Sequence, residues 1–189
     1  PLVAPGVYSA RLFVLSNDQV LPLGEAQSFN VKPVRAAPDG TDYAEVADYK
    51  KKTSDLLRQV AHAREELNRT RDLLAHMKAA AVSAPRAASS LFARLDAFGV
   101  EISKLETRLS GDSVRGRLNE TSVPSIGGRA YNAANTQGTT RTATATQKAD
   151  FEIAKRDFTA FASDLEALLA NQLVQLEADL SAAGAPSWR

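Results

Sequence analysis

Cysteine is absent from the 189 residues, which excludes disulfides, thiolate metal sites and cysteine nucleophiles. Histidine occurs only twice, at His62 and His76. Fourteen residues apart on one predicted helix, these two are separated by about 21 Å and cannot share a metal ion within one chain. An excess of charge of either sign is missing too: 23 basic and 22 acidic residues leave a net charge of +1. Such a surface has no field to gather polyanions, so neither nucleic acid nor an anionic membrane is an expected partner. No run of about 18 apolar residues is present to span a bilayer, and no basic-then-apolar leader opens the chain. The sequence opens at Pro1 inside a strand-and-turn region and is read as part of something longer.

What the chain does have is a seven-residue apolar repeat in three segments. The first runs Val46, Tyr49, Thr53, Leu56, Val60, Ala63, Leu67, Thr70, Leu74, Met77. The second runs Ala88, Leu91, Leu95, Phe98, Ile102, Leu105, Leu109, and the third Phe151, Ala154, Phe158, Phe161, Leu165, Leu168. Alternating steps of three and four hold one stripe against a partner helix. The spacing predicts a mainly α protein: an antiparallel bundle of three long helices plus a candidate short helix, preceded by a small β segment. Beyond Leu168 the stripe moves to Leu169, Leu173, Leu176 and Leu180, the drift expected when a straight helix outruns a strict heptad.

Three units are expected: a β segment over 1–35, read as the end of a sandwich domain, a linker over 36–41, and a helical bundle over 42–189. Tyr8, Ala10, Leu12 and Val14 alternate with their neighbours at strand period, and Ser16-Asn17-Asp18 supplies a turn. A return strand is expected through Val20 to Leu23, or from Gln27 to Val31 after Gly24. Two or three strands alone are marginal in water, so this piece packs on the helices or completes a sheet with further strands; the second is favoured. Ala36-Ala37-Pro38-Asp39-Gly40 is a breaker cluster, and Asp42 with Glu45 starts the first helix, which then runs without proline or glycine to Val82. The second helix ends near Ser110, before Gly111. The shorter second helix leaves part of the seam uncovered, and residues 111–143 are expected to lie over it, with a short helix from Pro124 through Ala134. Thr144-Ala145-Thr146-Gln147 is a capping box opening a last helix to about Ala183.

No catalytic, cofactor or metal residue is assigned. Adjacent Glu65 and Glu66 point in different directions on a helix, Gly127-Gly128-Arg129 lacks a phosphate-loop lysine, and Lys50-Lys51-Lys52 reads as a solvated run. Arg129, Tyr131 and Trp188 are the exposed-looking groups expected at an interaction surface.

Pro5-Gly6-Val7-Tyr8 with Arg11-Leu12, then Val31-Lys32-Pro33-Val34-Arg35 before a long helix, resembles the C-terminal end of large bacterial proteins with sortilin-like or sialidase-like β-propellers, many labelled glycosyl hydrolases. Thr144-Ala145-Thr146-Gln147, the final helix and Ala185-Pro186-Ser187-Trp188 also look like that family's tail. The resemblance implies a non-catalytic accessory module of an exported protein, periplasmic or extracellular, with any glycosidase carboxylates lying in the propellers and none on this chain. Expected partners are the upstream domains of the same polypeptide or another protein. Two other readings stand beside it: an adaptor that forms homo-oligomers, and a segment lending Arg129 or Tyr131 to a parent enzyme's site.

Overall fold

A computed structural model describes residues 3–34, 41–136 and 138–187. The chain is mainly helical, with one two-stranded antiparallel sheet at its N-terminal end. Strands β1 (Gly6–Ser16) and β2 (Gln19–Val31) form a hairpin closed by Asn17 and Asp18. Both turn residues have positive φ, 49° and 60°, the mirror-image turn whose twist matches that of the strands. The alternatives for the return strand merge into one: Leu12 pairs with Leu23, Ala10 with Gln27, and the residues between bulge around Gly24 at φ 83°. Every residue of the two strands except Tyr8 and Val31 is exposed, so neither face of the hairpin is covered.

Helix α1 (Tyr43–Val82) begins where expected, with the Asp42 carboxylate accepting from the backbone N–H groups of Ala44 and Glu45. Helix α2 (Ser89–Ser110) follows, then α3 (Ser113–Arg117), capped by Asp112, and α4 (Ile126–Ala134), capped by Ser125. Helix α5 (Ala145–Ala167) opens on the Thr144–Gln147 capping box, passes into a π-helical segment (Leu168–Leu173), and continues as α6 (Val174–Ala183). The linker cluster at 36–40 and Trp188 lie outside the described residues.

Ion pairs between helices record their directions. Lys78 meets Asp96 at 2.6 Å and Arg71 meets Glu106, so α1 and α2 run antiparallel. Arg108 reaches Asp164 at 2.6 Å, while Arg94 pairs with Asp179, so the α5–α6 stretch runs antiparallel to α2. Lys148 meets Glu45 at 2.7 Å, consistent with α1 and α5 running side by side in the same sense. Exposed pairs of this kind are worth only about 0.2–1 kcal/mol each. The packing beneath them carries the fold: Leu67, Met77, Leu95, Phe98, Ile102, Leu109, Phe161 and Leu180 are almost wholly buried in one core, and such side chains contribute about 1.5–3 kcal/mol apiece.

α2 ends beside Arg64, whose Nε donates to Ser110 Oγ at 3.2 Å. About the first half of α1 therefore has no α2 beside it, and α4 packs there instead, burying Ile126, Ala130 and Ala133 in the core. Within the 111–143 segment it is α4, starting at Ile126, that lies over the open part of the seam; α3 was not foreseen and buries no residue.

Two features differ from expectation. Lys50 is not solvated: it is 1% exposed, in the stripe position next to Tyr49, and its Nζ donates to the Thr139 carbonyl. The stripe beyond Leu168 is not the gradual drift of a straight helix. Phe151, Ala154, Phe158, Phe161, Leu165 and Leu168 alternate by three and four, and so do Leu173, Leu176, Leu180 and Ala183, one residue late. The π segment lies at that one-residue offset and absorbs it, keeping Leu176, Leu180 and Ala183 buried.

Candidate functional site

The groups singled out from sequence do not converge. Arg129 on α4 forms an ion pair with Asp150 of α5 at 2.6 Å, both side chains mostly buried. Its guanidinium is occupied in fastening α4 to α5 rather than displayed. Tyr131 lies two residues on and is 67% exposed. His62 and His76 are exposed, as expected. Glu66 pairs with Arg69, and Glu45 with Lys148. Lys51 and Lys52 pair with Asp55 and Asp48 on their own helix. No group of three potential metal-ligating side chains occurs among the described residues, and no helix among them is long and apolar enough to cross a membrane.

The glycine pair has a packing role. A Cβ on Gly127 would fall 2.9 Å from the Leu109 carbonyl oxygen. α4 approaches the end of α2 that closely only because the side chain is missing. Gly128 donates its N–H to the capping Ser125 hydroxyl at 3.1 Å.

Where α1, α4 and α5 meet, burial perturbs two titratable groups. The Tyr49 hydroxyl donates to the Ala133 carbonyl at 3.1 Å and its ring stands edge-on to Phe151. Burial, reinforced by the negative charges of Asp150 and Glu152, pushes its pKa up to about 12. Burial lowers that of neighbouring Lys50. The signs oppose each other. For Tyr49 the folded state holds a proton that the unfolded chain releases near pH 10, so its contribution is intact below pH 10 and is lost as pH rises to about 12. For Lys50 the unfolded state holds the extra proton, so stability rises with pH up to 10.5 and is flat above. Replacing Tyr49 by Phe is expected to lose about 1 kcal/mol at neutral pH, the worth of one hydrogen bond. The deficit should shrink between pH 10 and 12, as wild type alone pays for deprotonation. Urea unfolding across that range checks it, and a pH-independent difference would count against this account.

A shallow groove of about 980 Å³ runs between α1 and the α5–π stretch, floored by Ala63, Phe158, Phe161 and Leu165, with His62 and Glu166 among its polar lining. Three of its polar groups belong to local pairs, Asp55 with Arg58 and Lys51, and Glu66 with Arg69, and they surround no reacting centre.

The hairpin is the conspicuous exposed surface. Leu12 and Leu15 are each 70% exposed and Phe13 56%. Alternation places Tyr8, Leu12, Val14, Leu21, Leu23 and Phe29 on one face and Val7, Phe13, Leu15 and Val20 on the other. From exposures of this size, each face presents on the order of 500 Å² of large apolar side chain, as much as the largest patch of a typical monomer. The alternating pattern gave the strands; that both faces stay bare was not legible.

No protein-family model, curated protein or solved structure matches this chain, and nothing in those comparisons links it to propeller proteins.

Proposed function

We propose that this chain is a non-catalytic structural and interaction module of a larger polypeptide, in which three long helical segments work as one antiparallel bundle and the hairpin is the contact element. The observation that carries the reading is the contrast between the two parts: the helices bury their stripes in one continuous core, while the hairpin leaves both apolar faces in water. A two-stranded hairpin is marginal on its own, and an apolar one is a joining element. The role this gives the hairpin is completion of a larger sheet, while the helices keep a core of their own. The resemblance of its opening and closing motifs to the tails of exported bacterial propeller proteins supports this reading from the sequence side. A segment lending Arg129 to a parent active site is disfavoured by the Arg129–Asp150 pair.

The test separates the two parts. Replacing the cross-strand pair Leu12 and Leu23 by Thr keeps strand propensity and removes apolar surface. The helical melting midpoint is expected to stay within about 1 °C of wild type, while binding of the dye ANS to the native chain falls. A drop of several degrees would mean that the hairpin supports the helical core, and the proposal would fail.

A further inference from the structure

The two edges of the hairpin are not equivalent. The two-residue turn makes Ser16–Gln19 the closing hydrogen-bonded pair, so alternation puts Leu15–Val20 and Phe13–Pro22 at non-hydrogen-bonded positions. At those positions the backbone groups of both residues face outward, away from the partner strand. On β2 the outward edge meets Pro22, which has no N–H to offer, and is then bent by the bulge around Gly24. Proline and a bulge are the devices by which an edge strand refuses a further neighbour. β1 carries neither: its 11 residues contain no proline, and its one glycine is the first residue. Its only charge, Arg11, is turned towards β2, with Nε donating to the Gly24 carbonyl at 3.1 Å and the guanidinium 5.8 Å from the centre of the Phe13 ring. β2 has the properties of a terminal strand, and β1 those of a strand from the interior of a sheet.

Resting on the reading of the hairpin as the contact element, we propose that the outer edge of β1 is the docking edge, and that in solution β1 of a second copy occupies it. Two antiparallel β1 strands related by a two-fold axis give a four-stranded sheet in the order β2-β1-β1-β2, with the proline-bearing strands outermost. An isologous contact of this kind needs only self-complementarity. An 11-residue strand is roughly 35 Å long, and pairing along it covers on the order of 500 Å² per copy. Two such strips total about 1,000 Å², the lower bound for a specific interface. The dimer is therefore expected to be weak and concentration-dependent.

Sedimentation equilibrium of the full chain, from micromolar to millimolar concentration, is the experiment. Leu15→Pro removes an outward N–H of β1 without touching the β1–β2 ladder, and Val20→Pro does the same at the opposite edge. Wild type is expected to dimerise, with Leu15→Pro weakening the dimer about tenfold or more and Val20→Pro leaving it within about threefold. Amide hydrogen exchange on wild type gives the same answer without a proline: Phe13 and Leu15 gain protection with concentration, and Val20 does not. A wild type monomeric throughout overturns the proposal. So does loss of the dimer in Val20→Pro alone. A dimer that survives both prolines but disappears on replacing Leu12 and Leu23 by Thr would place the contact on a face. It would refute the edge assignment while leaving the hairpin as the contact element.

Discussion

Deleting Asn171 is expected to leave the fold intact and convert residues 145–183 into one unbroken α-helix. Before the π segment the stripe is Phe151, Ala154, Phe158, Phe161, Leu165, Leu168; after it, Leu173, Leu176, Leu180, Ala183. Removing one residue between Leu168 and Leu173 brings the second set into step with the first, so that threes and fours alternate from Phe151 onward. A π turn accommodates one surplus residue while the helix on either side keeps its facing. Leu176 and Leu180 would therefore still enter the core, and Asp179 would still reach Arg94. Asn171 is exposed, and its side-chain amide donates to the carbonyl of Ala167 in the preceding turn at 2.9 Å. The control is a deletion where no surplus exists. Ser103 is also exposed and lies within α2. Its loss rotates Leu105 and Leu109 away from the face shared by Leu95, Phe98 and Ile102, exposing two buried leucines at a cost of about 4 kcal/mol. Chemical denaturation of the two deletants gives the comparison. If Asn171 removal costs as much as Ser103 removal, the π segment is holding something other than a surplus residue.

How much of this was legible beforehand depended on whether the cause was local. The six buried positions of α2 all belong to the stripe read from sequence, because a 22-residue amphipathic helix carries its facing in its own spacing. Asp42, Thr144 and Gln147 announced their caps for the same reason: donor and acceptor lie within three residues. Lys50 was misread because its acceptor, the Thr139 carbonyl, is 89 residues away. Local pattern sees only the first of three consecutive lysines. Arg129 was read as exposed because Asp150, its partner, belongs to another helix. The surplus residue near Leu168 was visible as a change in the stripe, but spacing alone does not distinguish a helix that drifts from one that bulges. The strands could be read from their period; the bareness of both faces is a tertiary fact.

Gly127 separates local from tertiary causes most sharply, and Gly127→Ala is expected to destabilise the chain by about 2 kcal/mol. Helix propensity argues the other way, since replacing glycine by alanine inside a helix gains up to about 1 kcal/mol. The close approach decides the sign. The new Cβ would meet the Leu109 carbonyl oxygen at 2.9 Å, with the Arg64 guanidinium at 3.3 Å and Val60 Cγ1 at 3.6 Å. Arg64 can swing away, but the carbonyl belongs to the end of α2 and cannot. α4 must then lift from the seam, loosening Ile126, Ala130 and Ala133 and straining the Tyr49–Ala133 and Arg129–Asp150 bonds. Overpacking of this kind costs about 1–3 kcal/mol. Gly99→Ala is the matched case in α2, where the added Cβ would lie 3.2 Å from Cδ2 of Leu74, a side chain able to give way by the few tenths of an ångström required. There propensity should prevail, with a gain of up to about 1 kcal/mol. Opposite signs for one chemical change on two helices would show that α4 is held by backbone contact with α2. Two gains would mean that α4 only rests on the seam, free to shift without loss to the core it covers.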